Sequence, residues 1–246
     1  MNDVYQAPES DVVKQPDLDG SEYGSIEDAI SGNYQFEIGA VLSEAWEKTS
    51  GVKRVFILAL ILAMVAQIVL MIVLGGILQG VLELGIAGVI IQQIVLMLVI
   101  MPINMGIFML GIQRSMNTQP NAMSIFNYFD KTIKLFLTML LVWILVTIGF
   151  ILLVLPGIYL TVAYMMAMPL VVEKDMGIWE AMETSRKAIT KKWFTFLIFF
   201  IVASIIMGIS AIPLGIGLIW TFPLFMIGLG IIYRNMFGVN AESIQE

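Results

Sequence analysis

The 246-residue chain contains no cysteine and no histidine. Those two absences remove the disulfide framework, the thiolate nucleophile, the imidazole base and the usual Cys/His zinc sites. Charge is scarce as well: Asp, Glu, Lys and Arg make up 13% of the residues, against roughly a quarter in an ordinary soluble domain. No Gly-rich phosphate loop, paired-carboxylate site or nucleophile–base arrangement stands out. The expectation is a non-enzyme that carries neither metal nor cofactor.

What fills the chain instead is apolar. Hydrophobic residues account for 59% of the sequence, and the mean hydropathy is +0.91. They come in runs well past the ~18 residues that mark a candidate transmembrane helix. The fold class expected is an all-α polytopic membrane protein. The net charge of −6 is unevenly spread: residues 1–50 carry eleven acids against Lys14 and Lys48, and the remainder carries eight acids against eleven bases. Residues 1–36 therefore read as an acidic, disordered tail, and residues 37–246 as the membrane domain. The same balance disfavours nucleic-acid binding. Residues 1–36 lack the basic stretch and apolar core of a signal peptide, so the first apolar segment is expected to act as an uncleaved anchor.

Charges cut the apolar sequence into three blocks: Val55 to Gln113, interrupted only by Glu83; Leu135 to Val172; and Trp193 to Tyr233. The second block has 38 uncharged positions, about 57 Å as one helix, whereas a hydrocarbon core is about 30 Å thick. Each block also carries a breaker near its middle. These are Gly75-Gly76, Gly80, Glu83 and Gly85 in the first, Pro156-Gly157 in the second, and Pro213, Gly215 and Gly217 in the third. Proline removes a helix donor and glycine tolerates a tight reversal. The pattern predicts six transmembrane helices as three hairpins, with spans at about 55–77, 87–111, 134–155, 157–173, 193–212 and 215–236. Pro169 is expected to bend the end of the fourth. All thirteen Lys and Arg residues lie outside the three hairpin tips, which places both termini in the cytoplasm by the positive-inside rule.

Short amphipathic stretches precede the hairpins: "EIGAVLSEAWEK" with Ile38, Val41, Leu42, Ala45 and Trp46 on one face; "AMSIFNYFDKTIK"; and "GIWEAMETSRKAITKKW". They read as helices lying in the inner leaflet, joined to the spans at Lys53-Arg54, Lys134 and Lys191-Lys192-Trp193. The repetition of surface helix plus hairpin leaves open a threefold repeat or a likeness imposed by membrane patterning. The partners this implies are the bilayer, anionic lipid headgroups at the cytoplasmic face, and a protein partner or a second copy of the chain.

Candidate functional residues are few. Glu83 is the one acid outside the cytoplasmic regions, and an intramembrane carboxylate is a coupling-site hypothesis. Its place near the tip of the first hairpin favours a solvated loop. Gln92, Gln93 and Asn104 could line a substrate path, although helix-to-helix hydrogen bonding is the ordinary role of such residues. Met97, Met101, Met105 and Met109 recur at every fourth position. That spacing drifts about 40° per step, so the sulfurs do not converge on a Cu(I) site and read as packing.

The run "VLPGIYLTVAYMMAMPLVVEKDMGIWEAMETSRKAITKKW" resembles the core of YciC-like bacterial inner-membrane proteins. More distantly it resembles the membrane domain attached to some glycerophosphodiester phosphodiesterases. The shared features are Pro156-Gly157-Ile158, Pro169 with its following aliphatics, Asp175-Met176-Gly177, Ala181 and Ser185. The resemblance covers about 45 residues. It implies a bacterial inner-membrane location and carries no catalytic residue. The leading expectation is a non-enzymatic organiser or sensor of the envelope that binds lipid or a partner protein; the alternative is a small-molecule permease or export factor.

Overall fold

The computed structural model describes residues 23–240, and every regular element among them is helical. The order begins with α1 (Ile26–Ser31) and α2 (Ile38–Thr49), followed by the first hairpin, α3 (Lys53–Gly75) and α4 (Gly85–Ser115). The second hairpin is α5 (Thr132–Leu152) returning through α6 (Val154–Ala163) and α7 (Ala167–Glu173). Then come α8 (Ile178–Thr190) and the third hairpin, α9 (Trp193–Ala211) and α10 (Leu218–Phe237). Six helical segments are long and apolar enough to cross a membrane. The chain is an all-α polytopic membrane protein.

The first and third reversals fall within the expected tips, and the second falls just before Pro156-Gly157. In the first hairpin the Gly75-Gly76 pair does not turn: the helix continues as a π-helical segment, Gly76–Val81, and reverses at Leu82–Leu84 with Glu83 in the left-handed region, φ 51°. In the second, Leu153 alone makes the turn, with φ −162° and ψ 148°. Pro156 falls in the first turn of α6, where a missing N–H leaves no intrahelical bond unmade. Gly157 serves close approach instead: a Cβ there would overlap the ring of Phe150, and one on Gly149 would lie 3.0 Å from the Gly157 nitrogen. In the third, Leu214 and Gly215 both take positive φ, 52° and 78°.

The fourth span is not one helix. It breaks at Tyr164–Met166 between α6 and α7, one turn before Pro169, which sits buried in the first turn of α7 and cannot donate to the Met165 carbonyl. Ser185 of α8 repairs the break: its hydroxyl donates to the Ala163 carbonyl at 2.7 Å and accepts the Met166 N–H at 3.1 Å. Removing that hydroxyl leaves two buried backbone groups unmatched, at roughly 1–3 kcal/mol each. Ser185→Ala should therefore lower stability by about 2 kcal/mol or more, read as thermal unfolding in detergent. Ser204→Ala, at an exposed position of α9, should change it little.

The residues expected as a disordered tail divide in two. Residues 1–22 lie outside the described part. Residues 23–36 are packed: α1 has Ser25 as N-cap and Gly32, φ 88°, as C-cap, and Tyr34 and Phe36 are buried. The phenol of Tyr34 donates to the Ala188 carbonyl at 3.0 Å, and the Phe36 ring lies 4.6 Å from that of Phe196.

Of the three amphipathic stretches, α2 and α8 form. The middle one is two 3-10 turns, Ala122–Phe126 and Phe129–Lys131, with Asn121 capping the first through a bond from the Met123 N–H. Both helices bury their small residues, Val41 and Ala45 on α2 and Ala181, Ser185 and Ala188 on α8, while Trp46 and Trp179 point outward. The buried face of α8 lies antiparallel along the second hairpin: Ser185 meets Ala163 and Met166, and Thr190 meets the Tyr159 hydroxyl at 2.7 Å. Burial concentrates at the charged end, where α2 packs on the C-terminal halves of α4 and α10 and α8 packs on α1 and α7; the hairpin tips are exposed, with Leu214 at 97%.

Candidate functional site

The most built polar feature among the described residues is a cleft of about 550 Å³ at the charged end of the bundle, between α1, α2 and the last turn of α10. Its walls form for local reasons. Ser25 accepts the Asp28 N–H at 3.1 Å and donates to its carboxylate at 2.8 Å, a reciprocal cap that starts α1. Asn33 then donates to the other Asp28 oxygen at 3.2 Å and folds the chain toward α2. Gly24 lets the entering chain lie on the carbonyls of Asn235 and Met236, where any Cβ would collide with backbone.

Arg234 closes the floor. It is 5% exposed, and its guanidinium donates to both carboxylate oxygens of Glu44, at 2.9 and 3.1 Å, to the Ser115 carbonyl at 2.6 Å, and to Asn235 at 3.0 and 3.1 Å. The Tyr23 ring covers it at 4.3 Å. One side chain thus joins α10, α2, the end of α4 and the segment before α1. Lys48, one turn beyond Glu44, pairs with it at 3.5 Å and also meets Asn117. Burial pulls the Lys48 ammonium below its ordinary pKa, and the Glu44 carboxylate opposes that shift. Arg114 donates to the carbonyls of Lys48, Ser50 and Thr118, fixing the end of α4 to the end of α2. Asp28, Glu37 and Glu44 share the cleft lining with one guanidinium that is already fully engaged, so the open face presents carboxylates and carboxamides.

Two further polar clusters brace the same end. Glu173, buried, accepts the Tyr233 hydroxyl at 2.7 Å and the Asn240 N–H at 2.6 Å, with Lys174 at 3.3 Å, which ties the chain after α10 to α7. Asp175 receives Lys131 and Lys134, each at 2.8 Å. Hydrogen bonds from those ammonium groups hold its carboxyl at about 2, below the ordinary 3.8. Because the folded value is the lower one, this contribution to stability is present above about pH 4 and disappears as the pH falls toward 2. The melting temperatures of the wild type and Asp175→Asn should differ above that window and converge below it.

The residues singled out from the sequence are not brought together. Glu83 is exposed at the tip of the first hairpin, and Asn104 lies 21 residues further on, roughly 30 Å along the helix. Gln92 donates to the Met71 carbonyl at 3.0 Å and so joins α4 to α3. Gln93, about a quarter-turn round the helix, lines with Gln67 of α3 a shallow groove of about 390 Å³ among Ile94, Leu96, Met97 and Ile100. Pro156, Gly157 and Pro169 serve the second hairpin. A second groove, about 230 Å³, lies between α5 and the α6–α7 break and is lined mainly by Met139, Val142, Trp143, Tyr164 and Met168. Sequence reading missed Arg234, Glu44, Tyr23 and Glu173. The signal in hand was an arginine in the last turn of an apolar segment, which the positive-inside rule absorbs without asking for a partner. Among the described residues no group of three or more Asp and Glu side chains is arranged to hold a metal ion.

The class these features define is a multi-helix integral membrane protein with an ordered polar layer at its charged end. Comparison with protein families, with curated proteins and with solved structures yields no match.

Proposed function

We propose that the chain is a non-enzymatic inner-membrane organiser or sensor, with both termini in the cytoplasm, that engages lipid or a partner protein through the layer formed by α1, α2, α8 and the end of α10. The observation that carries this reading is where the polar cavity lies. The cleft lined by Asp28, Glu37 and Glu44 sits at the charged end of the bundle, whereas the grooves along the spans hold no charged side chain and are lined mainly by apolar ones. A transporter needs converging polar groups near the bilayer midplane. The likeness to YciC-like proteins agrees with an inner-membrane location. The bases of the α8–α9 junction, Lys187, Lys191 and Lys192, suit anionic headgroups, and the carboxylate face of the cleft suits a basic segment of a partner.

Purification from native membranes, with mass spectrometry of the proteins and lipids that accompany the chain, tests the proposal. A stoichiometric protein or lipid class that is lost with Asp28→Asn/Glu37→Gln, or with Lys187→Gln/Lys191→Gln, supports it. The permease reading draws on Gln67 and Gln93 in the first-hairpin groove. Solute flux abolished by Gln93→Ala, in a protein recovered without companions, would replace the organiser reading.

A further inference from the structure

Three carboxamides of the first hairpin face outward. Gln67, Gln93 and Asn104 are exposed, and none has a hydrogen-bond partner among the described residues. Their neighbours behave differently: Gln92 donates to the Met71 carbonyl, Gln79 to the Gly85 carbonyl, and Thr138, Thr161 and Ser210 to carbonyls one turn back on their own helices.

Depth makes the three unusual. A 30 Å hydrocarbon layer takes about 20 helical residues, and centring that length between Glu83 and Arg114 places both Gln93 and Asn104 inside it. The bond from Gln92 to Met71 sets the register of α3 against α4 and puts Gln67 within about a turn of Gln93 in depth. An amide that meets only acyl chains there forgoes hydrogen bonds that water would supply, a cost of several kcal/mol per group. Along α4, Gln93, Met97, Ile100 and Asn104 are spaced by four, three and four residues, so they form one stripe. Two carboxamides thus flank an apolar stretch, with Gln67 beside the first in the same groove.

We propose that this stripe packs against the same stripe of a second copy of the chain. A carboxamide offers both a donor and an acceptor, so a surface of carboxamides is complementary to itself. A two-fold axis along the membrane normal sets each residue opposite one at its own depth. Asn104 then faces Asn104 of the second copy, and Gln93 meets Gln93 or Gln67, while Met97 and Ile100 fill the space between. Acyl chains offer neither donor nor acceptor and leave all three amides unmet. The inference stands or falls separately from the organiser reading.

The chain has no cysteine, so Met97→Cys introduces the only thiol. Oxidation in native membranes should link Met97→Cys chains into a species of twice the mass, and should leave Ile205→Cys, at an exposed position of α9, unlinked. Gln93→Leu/Asn104→Leu suits the lipid-facing surface and should raise the dimer dissociation constant about tenfold, measured from the dimer fraction at a series of protein-to-lipid ratios. Linkage at Met97 no greater than at Ile205, a linked species of another mass, or a dimer fraction unmoved by the double leucine variant would each overturn the proposal.

Discussion

Gly111→Val should lower stability by roughly 3 kcal/mol and loosen the charged end of the bundle with it. Gly111 of α4 and Gly230 of α10 mark the crossing of the two central helices. A Cβ on Gly111 would overlap the Met226 carbonyl, and a Cβ on Gly230 would overlap the Gly111 carbonyl. Both obstacles are backbone, so no rotamer change relieves them and the helices must separate. Four residues beyond this contact on each helix, Arg234 donates to the Ser115 carbonyl at 2.6 Å, a bond that a shift of an ångström or two breaks. Valine at Gly111 should therefore remove stability and also disturb the Glu44–Arg234 clamp. Unfolding by denaturant in detergent gives the first effect, and increased proteolytic cleavage between α1 and α2 the second. Gly208→Ala is the control. It lies in α9 with nothing within 4 Å of the added Cβ, and alanine's higher helix propensity should leave stability unchanged or raised by up to about 1 kcal/mol.

Glu44→Ala should cost about 3 kcal/mol, for a different reason. The guanidinium of Arg234 is 5% exposed, and among the described residues its bonds to Glu44 are its only charge-matched ones. Deleting the carboxylate leaves a buried cation with neutral acceptors alone. Glu44→Ala/Arg234→Met should recover much of the loss, because replacing both partners removes the stranded charge along with the pair. The Glu183–Arg186 pair has shorter contacts, 2.7 and 2.8 Å, but its guanidinium is 35% exposed, so its removal should cost less than about 1 kcal/mol, since water replaces the partner. Thermal unfolding of Glu44→Ala, Glu44→Ala/Arg234→Met and Glu183→Ala separates the two cases: burial of the guanidinium, rather than the length of the bond, sets the size of the effect.

How far the residues themselves led can be seen at particular positions. Gly75-Gly76 and Pro156-Gly157 read as turns because a breaker inside an apolar run is what a turn needs. The actual reversals are at Leu82–Leu84, still inside the expected first tip, and at Leu153, a few residues before Pro156. Proline is as well accommodated in a first helical turn as in a loop, and glycine serves a close contact as readily as a turn. The break at Tyr164–Met166 holds no Gly or Pro of its own but lies one turn before Pro169, which cannot donate to the Met165 carbonyl. It is tolerated because Ser185, from another helix, satisfies the freed groups, and no local pattern contains that information. The middle amphipathic stretch forms 3-10 turns instead of a helix, and its backbone at Ile125 lies directly on Gly106 of α4.

The site was still less legible. Arg234 and Glu44 stand 190 positions apart, and each alone reads as a solvated charge near a membrane surface. Gln93 and Asn104 were visible as polar residues in a span, but which way each pointed depends on where α3 lies against α4. By itself the sequence determined what long runs of like residues determine: helical spans, six of them, and the gathering of every base away from the tips. Those follow from solvation, which acts on each residue through its own side chain. The tertiary structure alone decided which charges are buried, which amides are satisfied and where a cleft opens. Those outcomes belong to pairs of groups distant in the chain, and only packing brings the members of a pair together.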